Sequence, residues 1–166
     1  MRSLGLTPKN FKRLPEDGEQ FEALGEQLLE AMGFMVVERP SRGADAGRDI
    51  LVERVLKDKI GDVRQRVLVQ CKHKAHSGKA VSDSDVGLFQ NVMASFNATG
   101  YLLVTSTTVT EKINGLFRGF TRTQYPRWAH SWNVSDLIKL LNENVMVRDT
   151  FFPTGVRQAL VGERIA

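Results

Sequence analysis

The sequence predicts an α/β fold of three layers, a central mixed β-sheet of about five strands flanked by helices. Three observations carry that expectation. Apolar stretches of strand length (34–38, 49–55, 64–72, 100–105 and 127–132) alternate with stretches whose apolar residues recur at helical spacing. A polar connection, Lys57-Asp58-Lys59-Ile60-Gly61-Asp62, joins the second stretch to the third and implies an antiparallel hairpin. A helical stretch separates the third from the fourth, which implies a right-handed crossover and a parallel pair.

At 166 residues the chain suits one domain with a single core. Its 42% apolar and 25% charged content is ordinary for a soluble globular protein. No apolar run reaches membrane-spanning length, and the first eight residues lack a signal-peptide core. A cytoplasmic location without membrane partners is therefore expected. One cysteine excludes an internal disulfide, and three histidines with that cysteine do not supply a structural zinc set. The formal net charge of +4 and pI near 9.4 favour polyanionic partners, although many basic proteins have none.

Taken in order, residues 1–18 form a basic lead-in, with Lys9, Lys12 and Arg13 in an extended stretch. Asp17 and Gln20 are spaced as a helix cap with a reciprocal side chain. Phe21, Leu24, Leu28 and Met32 then recur at helical spacing, and Gly33 closes the helix. The loop Pro40-Ser41-Arg42-Gly43-Ala44-Asp45-Ala46-Gly47-Arg48 is built of small residues that permit close backbone approach. Its arginines, Arg42 and Arg48, suit phosphates. The third strand ends at Lys72 and runs into a basic segment with His73, Lys74, His76 and Lys79. Ser82 or Ser84 caps a helix whose apolar face is Val86, Phe89, Met93 and Phe96. Residues 100–105 form a nearly all-apolar strand, as one buried on both faces would. Thr110 caps a helix over about 111–120, in a region decorated by Lys112, Arg118, Arg122 and Arg127. Asn133 caps a last helix on Leu137, Ile138, Leu140 and Leu141, and Phe151-Phe152 makes a closing core contact. The domain is expected over 19–152, and 153–166 as a tail or linker.

The chemistry gathers on two strands. Side chains alternate along a strand, so Gln70 and Lys72 share a face while Val69 and Cys71 point to the other layer. A carboxylate, Asp49, stands at the head of the preceding strand. Hard cations such as Mg²⁺ take oxygen ligands, commonly one or two carboxylates with substrate phosphate and water. Asp49, the amide oxygen of Gln70 and the backbone carbonyl of Cys71 provide three oxygens, with Lys72 beside them to orient water or neutralise a developing phosphorane. One carboxylate leaves such an ion undercharged, which makes Glu22 attractive as a further acid. Asp45 is a weaker candidate, because acids in glycine-rich loops usually form turns. Each residue has a plainer reading as well: Glu22 as a solvated first-turn charge, Cys71 as a small core residue, and the histidines as phosphate or surface contacts.

Phe21-Glu22 on a helix ending Met32-Gly33-Phe34, then Gly43-Ala44-Asp45-Ala46-Gly47-Arg48-Asp49, then Val69-Gln70-Cys71-Lys72 resembles the Mrr-type branch of the PD-(D/E)xK nucleases. These belong to the restriction-endonuclease-like superfamily. The strand at 101–106 with its hydroxyl-rich turn is similar too, and the likeness covers roughly residues 19–142. It implies Asp49 as metal ligand, Gln70 as the second motif oxygen, Lys72 as catalytic lysine and Glu22 as the helix acid. Gln at the first position of the last motif is usual in that branch. Ala44 and Ala46 depart from the glycines often found there. The implied activity is Mg²⁺-dependent cleavage of DNA phosphodiesters, with Mn²⁺ able to substitute, in restriction or anti-phage defence. The implied partners are double-stranded DNA, at Arg42, Arg48, His73, Lys74, His76 and Lys79, a second or further copies of the chain, and a sensor or NTPase. The alternatives are a non-catalytic DNA-binding module on the same fold and a structure-selective, Holliday-junction-type resolvase.

Overall fold

A computed structural model describes residues 5–39 and 48–153, the side chain of Arg48 excepted. A short 3-10 helix, Pro8–Arg13, precedes α1 (Glu19–Ala31), β1 (Met35–Glu38), β2 (Arg48–Lys57) and β3 (Asp62–Lys72). Next come α2 (Asp83–Val86), α3 (Phe89–Ser95), β4 (Gly100–Thr105), α4 (Glu111–Thr123), β5 (Trp128–Trp132), α5 (Val134–Glu143) and α6 (Val145–Phe151). The five strands form one sheet in the order β1-β2-β3-β4-β5. β1, β2 and β3 pair antiparallel, whereas β3, β4 and β5 pair parallel. The mixed sheet expected from the hairpin and crossover is thus present, with β3 as the seam between its halves.

Strand alternation sorts the core into two layers. Ile50, Val52, Val67, Val69, Cys71, Leu102 and Val104 face Leu24 and Leu28 of α1, Leu137 and Leu141 of α5, and Phe11. Leu51, Leu68, Tyr101 and Leu103 face Phe89 and Met93 of α3 and Ile113, Phe117 and Phe120 of α4. Each fully buried aliphatic side chain contributes about 1.5–3 kcal/mol, so the sheet is held from both sides. Close approach at one strand start depends on a missing side chain. A Cβ on Gly100 would lie 2.2 Å from the ring of Trp128, so only glycine lets that indole lie against β4.

Several local expectations change. Residues 8–13 are helical rather than extended, because Phe11 is wholly buried and packs at a tilt against Phe152, with ring centres 5.1 Å apart. Gly18, in the left-handed region at φ +83°, takes the cap position of α1, and the Asp17 carboxylate accepts from the Glu19 N–H at 2.9 Å. The helix expected from Ser82 to Phe96 is broken in two at Gly87, whose φ of +51° leaves the α-helical range. Thr110 does cap α4, accepting from the Ile113 N–H, and Asn133 with Asp136 forms a reciprocal cap on α5. Among the described residues no helix is long and apolar enough to cross a membrane.

Candidate active site

The hairpin register places Asp49 of β2 directly opposite Gln70 of β3. Directly paired residues share a face, and so do residues two apart on one strand. Asp49, Gln70 and Lys72 therefore project on one side of the sheet, continuing the buried row of Leu51 and Leu68 toward the strand ends. All three are half-buried. Burial raises the Asp49 carboxyl above its ordinary range, and the positive charge of Lys72 opposes that rise. A poorly solvated carboxylate beside a lysine is electrostatically incomplete, and a cation would complete it.

A fourth residue joins them that the spacing did not single out. Tyr101 is buried in β4, and its hydroxyl donates to the Gln70 amide oxygen. The ring is fixed by Phe89 at 4.9 Å and Phe117 at 5.7 Å. Burial, then the charge of Asp49, pushes the phenol well above its usual range, so it stays a protonated donor. The only signal in the sequence is a single hydroxyl within the apolar run Tyr101-Leu102-Leu103-Val104, where tyrosine also serves as an ordinary core residue.

Glu22 stands on α1, the helix packed against Cys71. It is half-buried, and it acts on the Cys71 thiol, which burial, then Glu22, Asp49 and Glu26 push far above its ordinary range. Cys71 is thus a protonated core side chain packed against Gly25 and no nucleophile. The structure gathers Asp49, Gln70 and Lys72 on one face, and Glu22, like Asp49, is close enough to Cys71 to act on its thiol. Among the described residues no three His, Cys, Asp or Glu side chains converge as a metal cage. The oxygens of Asp49, Gln70 and the Cys71 carbonyl are hard donors, and they suit a hard divalent cation that keeps much of its water.

The basic segment after Lys72 is tied down. His73 lies half-buried, its ring stacked on Phe21 at 4.9 Å, with Nε2 at 3.1 Å from the Leu14 carbonyl. Ser106 Oγ accepts the N–H groups of Lys74 and Ala75, so its own proton goes to His73 Nδ1 at 2.8 Å. His76 Nε2 also reaches the Leu14 carbonyl, at 2.8 Å. Both rings thereby donate to the carbonyl of Leu14, the residue that ends the 3-10 helix, a role that histidine spacing does not reveal. Burial, the largest influence, holds His73 below the ordinary histidine range. Lys74 pairs with Asp85 at 2.7 Å, while Lys79 is exposed. Arg42, Asp45 and the side chain of Arg48 lie outside the described residues.

Comparison with known proteins places the fold and the family. No curated protein matches the chain. Among solved structures, the DNA modification-dependent restriction endonuclease AspBHI superposes with a TM-score of 0.61 at 20% identity, over 98% of this chain and 42% of that one. The restriction endonuclease MspJI, solved in complex with a 27-mer oligonucleotide, gives 0.58 at 17% identity, over 92% of this chain and 33% of that one. The chain thus spans less than half the length of these two proteins, and at such identities the likeness establishes the restriction-endonuclease-like fold. A family model described as restriction endonuclease, Mrr_cat, matches residues 14–122. That match takes in Glu22, Asp49, Gln70, Lys72 and Tyr101, and by it the chain belongs to the Mrr-type restriction endonuclease family.

Proposed function

We propose that this chain is a metal-dependent DNA endonuclease of the restriction or anti-phage defence kind, hydrolysing phosphodiester bonds in double-stranded DNA. The observation that carries the reading is the convergence of Asp49, Gln70 and Lys72 on one face at the strand ends, with Asp49 poorly solvated beside a lysine. Asp49, the Gln70 amide oxygen and the Cys71 carbonyl would hold Mg²⁺, or Mn²⁺ in its place, and Glu22 would complete the site as the helix acid. When bound, the ion supplies Lewis acidity toward water and a phosphate oxygen. Lys72 orients the attacking water and offsets the negative charge that builds on phosphorus as the new P–O bond forms and the ester P–O bond breaks. Tyr101 fixes the Gln70 amide so that its oxygen keeps one direction.

The test is incubation of plasmid and linear duplex with and without Mg²⁺ or Mn²⁺, for the wild type and Lys72→Ala. Removal of a preorganised charge at a developing oxyanion costs roughly 10²–10³ in rate. Cleavage is therefore expected to fall by about that factor while duplex affinity is kept. Equal cleavage by both proteins would remove Lys72 from the chemistry.

A further inference from the structure

The basic residues of α4 take no part in the site above, yet the fold collects them. Asn114, Arg118 and Arg122 recur every four residues and so share one flank of the helix. That flank lies along β5, where Thr121 Oγ1 accepts the Ala129 N–H at 3.0 Å and donates to its carbonyl at 3.2 Å. Asn114, Phe117, Arg118, Thr121, Arg122 and residues 129–131 enclose a cleft of about 350 Å³. Its lining holds two guanidiniums, an amide and two hydroxyls, and no carboxylate, while the His130 ring lies beside Trp128 on the other face of β5. Glu111, one turn earlier, accepts from the Asn114 amide at 3.3 Å. Lys112 is paired with Asp83 at 3.0 Å, and Arg127 lies over the Phe120 ring and bonds Gln124. Arg118 and Arg122 enter no ion pair or hydrogen bond among the described residues. Two like charges one helical turn apart repel, and a bound anion relieves the repulsion.

Register ties this cleft to the catalytic face. Asp49 is opposite Gln70, Gln70 pairs with Leu103, and Leu103 pairs with Ser131. These four residues form one row on one face, near the ends of β3 and β5. Ser131 is two strand spacings from Gln70, roughly 10 Å. In duplex DNA the phosphates of one strand rise about 3.4 Å per nucleotide, and the grooves are about 6 and 12 Å wide. A duplex with its scissile phosphate at Lys72 therefore brings another phosphate to the cleft, a few nucleotides along or across a groove.

We propose that the α4–β5 cleft anchors a backbone phosphodiester of the bound duplex. Arg118 and Arg122 supply forked charged donors, and the Ser131 hydroxyl supplies a neutral one. A contact of this kind positions the duplex without reading its sequence. The proposal rests on the reading of the chain as a DNA enzyme.

The experiment measures affinity for a fluorescent duplex across a salt series with metal chelated, so that no cleavage is needed. Arg118→Gln/Arg122→Gln is compared with the wild type and with Lys57→Gln/Lys59→Gln, which removes the same charge from the far end of the hairpin. The cleft variant is expected to bind about ten-fold more weakly, with a plot of log K against log salt shallower by roughly one unit, and the hairpin variant to retain the wild-type slope. An unchanged slope in the cleft variant overturns the proposal, as does an equal loss in the hairpin variant. Binding of inorganic phosphate or a deoxynucleoside monophosphate that the cleft variant loses, with duplex affinity intact, also overturns it in favour of a small-ligand site. These results leave the nuclease reading standing, whereas a wild type that binds no duplex removes both.

Discussion

Tyr101 puts one polar atom into a strand that is otherwise packed with carbon. Its hydroxyl holds the Gln70 amide, and an amide that must present oxygen rather than nitrogen to a cation needs such a partner. Tyr101→Phe removes only that atom. Loss of one buried hydrogen bond costs about 1 kcal/mol of stability, so the fold should survive. The Mg²⁺ concentration for half-maximal plasmid cleavage should rise several-fold, with a lower rate at saturation. An unchanged metal titration would show that Gln70 needs no anchor. At this scale the sequence was most informative where period-two alternation decides orientation: Asp49, Gln70 and Lys72 share a face because the strands do. Tyr101 was opaque because a tyrosine in an apolar run is an ordinary core residue, and its partner is brought to it by the β3–β4 pairing. Glu22 was half legible, since helical spacing puts it beside the buried Phe21 but does not show that it meets Cys71 of β3.

Among the elements, the 3-10 helix departs most from its expected form. Lys9, Lys12, Arg13 and two prolines suggested a loose lead-in, while the burial of Phe11 makes the segment part of the core. Phe→Ala at a buried site costs about 3–5 kcal/mol. Phe11→Ala should lower the urea midpoint accordingly, and a loss under 1 kcal/mol would mean that the segment is only draped on the surface. Its other attachment is the pair of imidazoles on the Leu14 carbonyl. His73 titrates below the ordinary histidine value of 6.5, so below that pH the unfolded chain binds more protons than the folded one. Stability from this residue is therefore full at pH 7 and above, and is lost as pH falls through 6.5 toward the lower folded value. Melting temperatures measured from pH 8 to 5 should show the decline, and His73→Gln should flatten it. The broken α2–α3 helix was hidden for another reason: Gly87 sits within a regular apolar spacing, and one residue at positive φ overrides the period around it.

For the molecule as a whole, the described residues hold one candidate site. On the proposed reading Asp49, Gln70 and Lys72 make one constellation that cuts one strand at a time, so double-strand breaks require two copies brought together. Sedimentation under cleavage conditions should show self-association on duplex DNA whenever linear product forms directly from supercoiled plasmid. A strict monomer giving that product would contradict the single-site account. The mixed sheet was legible as a whole because the short β2–β3 connection permits only antiparallel pairing and the helical β3–β4 connection favours parallel pairing. The cleft beside β5 was not, because charges spaced along α4 show which flank they occupy but not which strand that flank meets.

The turn between β2 and β3 lies far from the chemistry, yet it acts as a ruler for it. Asp58 fastens the turn by accepting the N–H groups of Ile60 and Gly61, and it fixes the alignment that begins at Lys57 with Asp62 and sets Asp49 opposite Gln70. The two pairs are about 27 Å apart at roughly 3.4 Å per step. A one-residue slip of β3 would turn Cys71 to where Gln70 had been and send Lys72 to the opposite layer. Four surface residues at the tip thus calibrate which atoms meet at the other end of the ribbon, and a length change there would silence the site without touching any of its side chains.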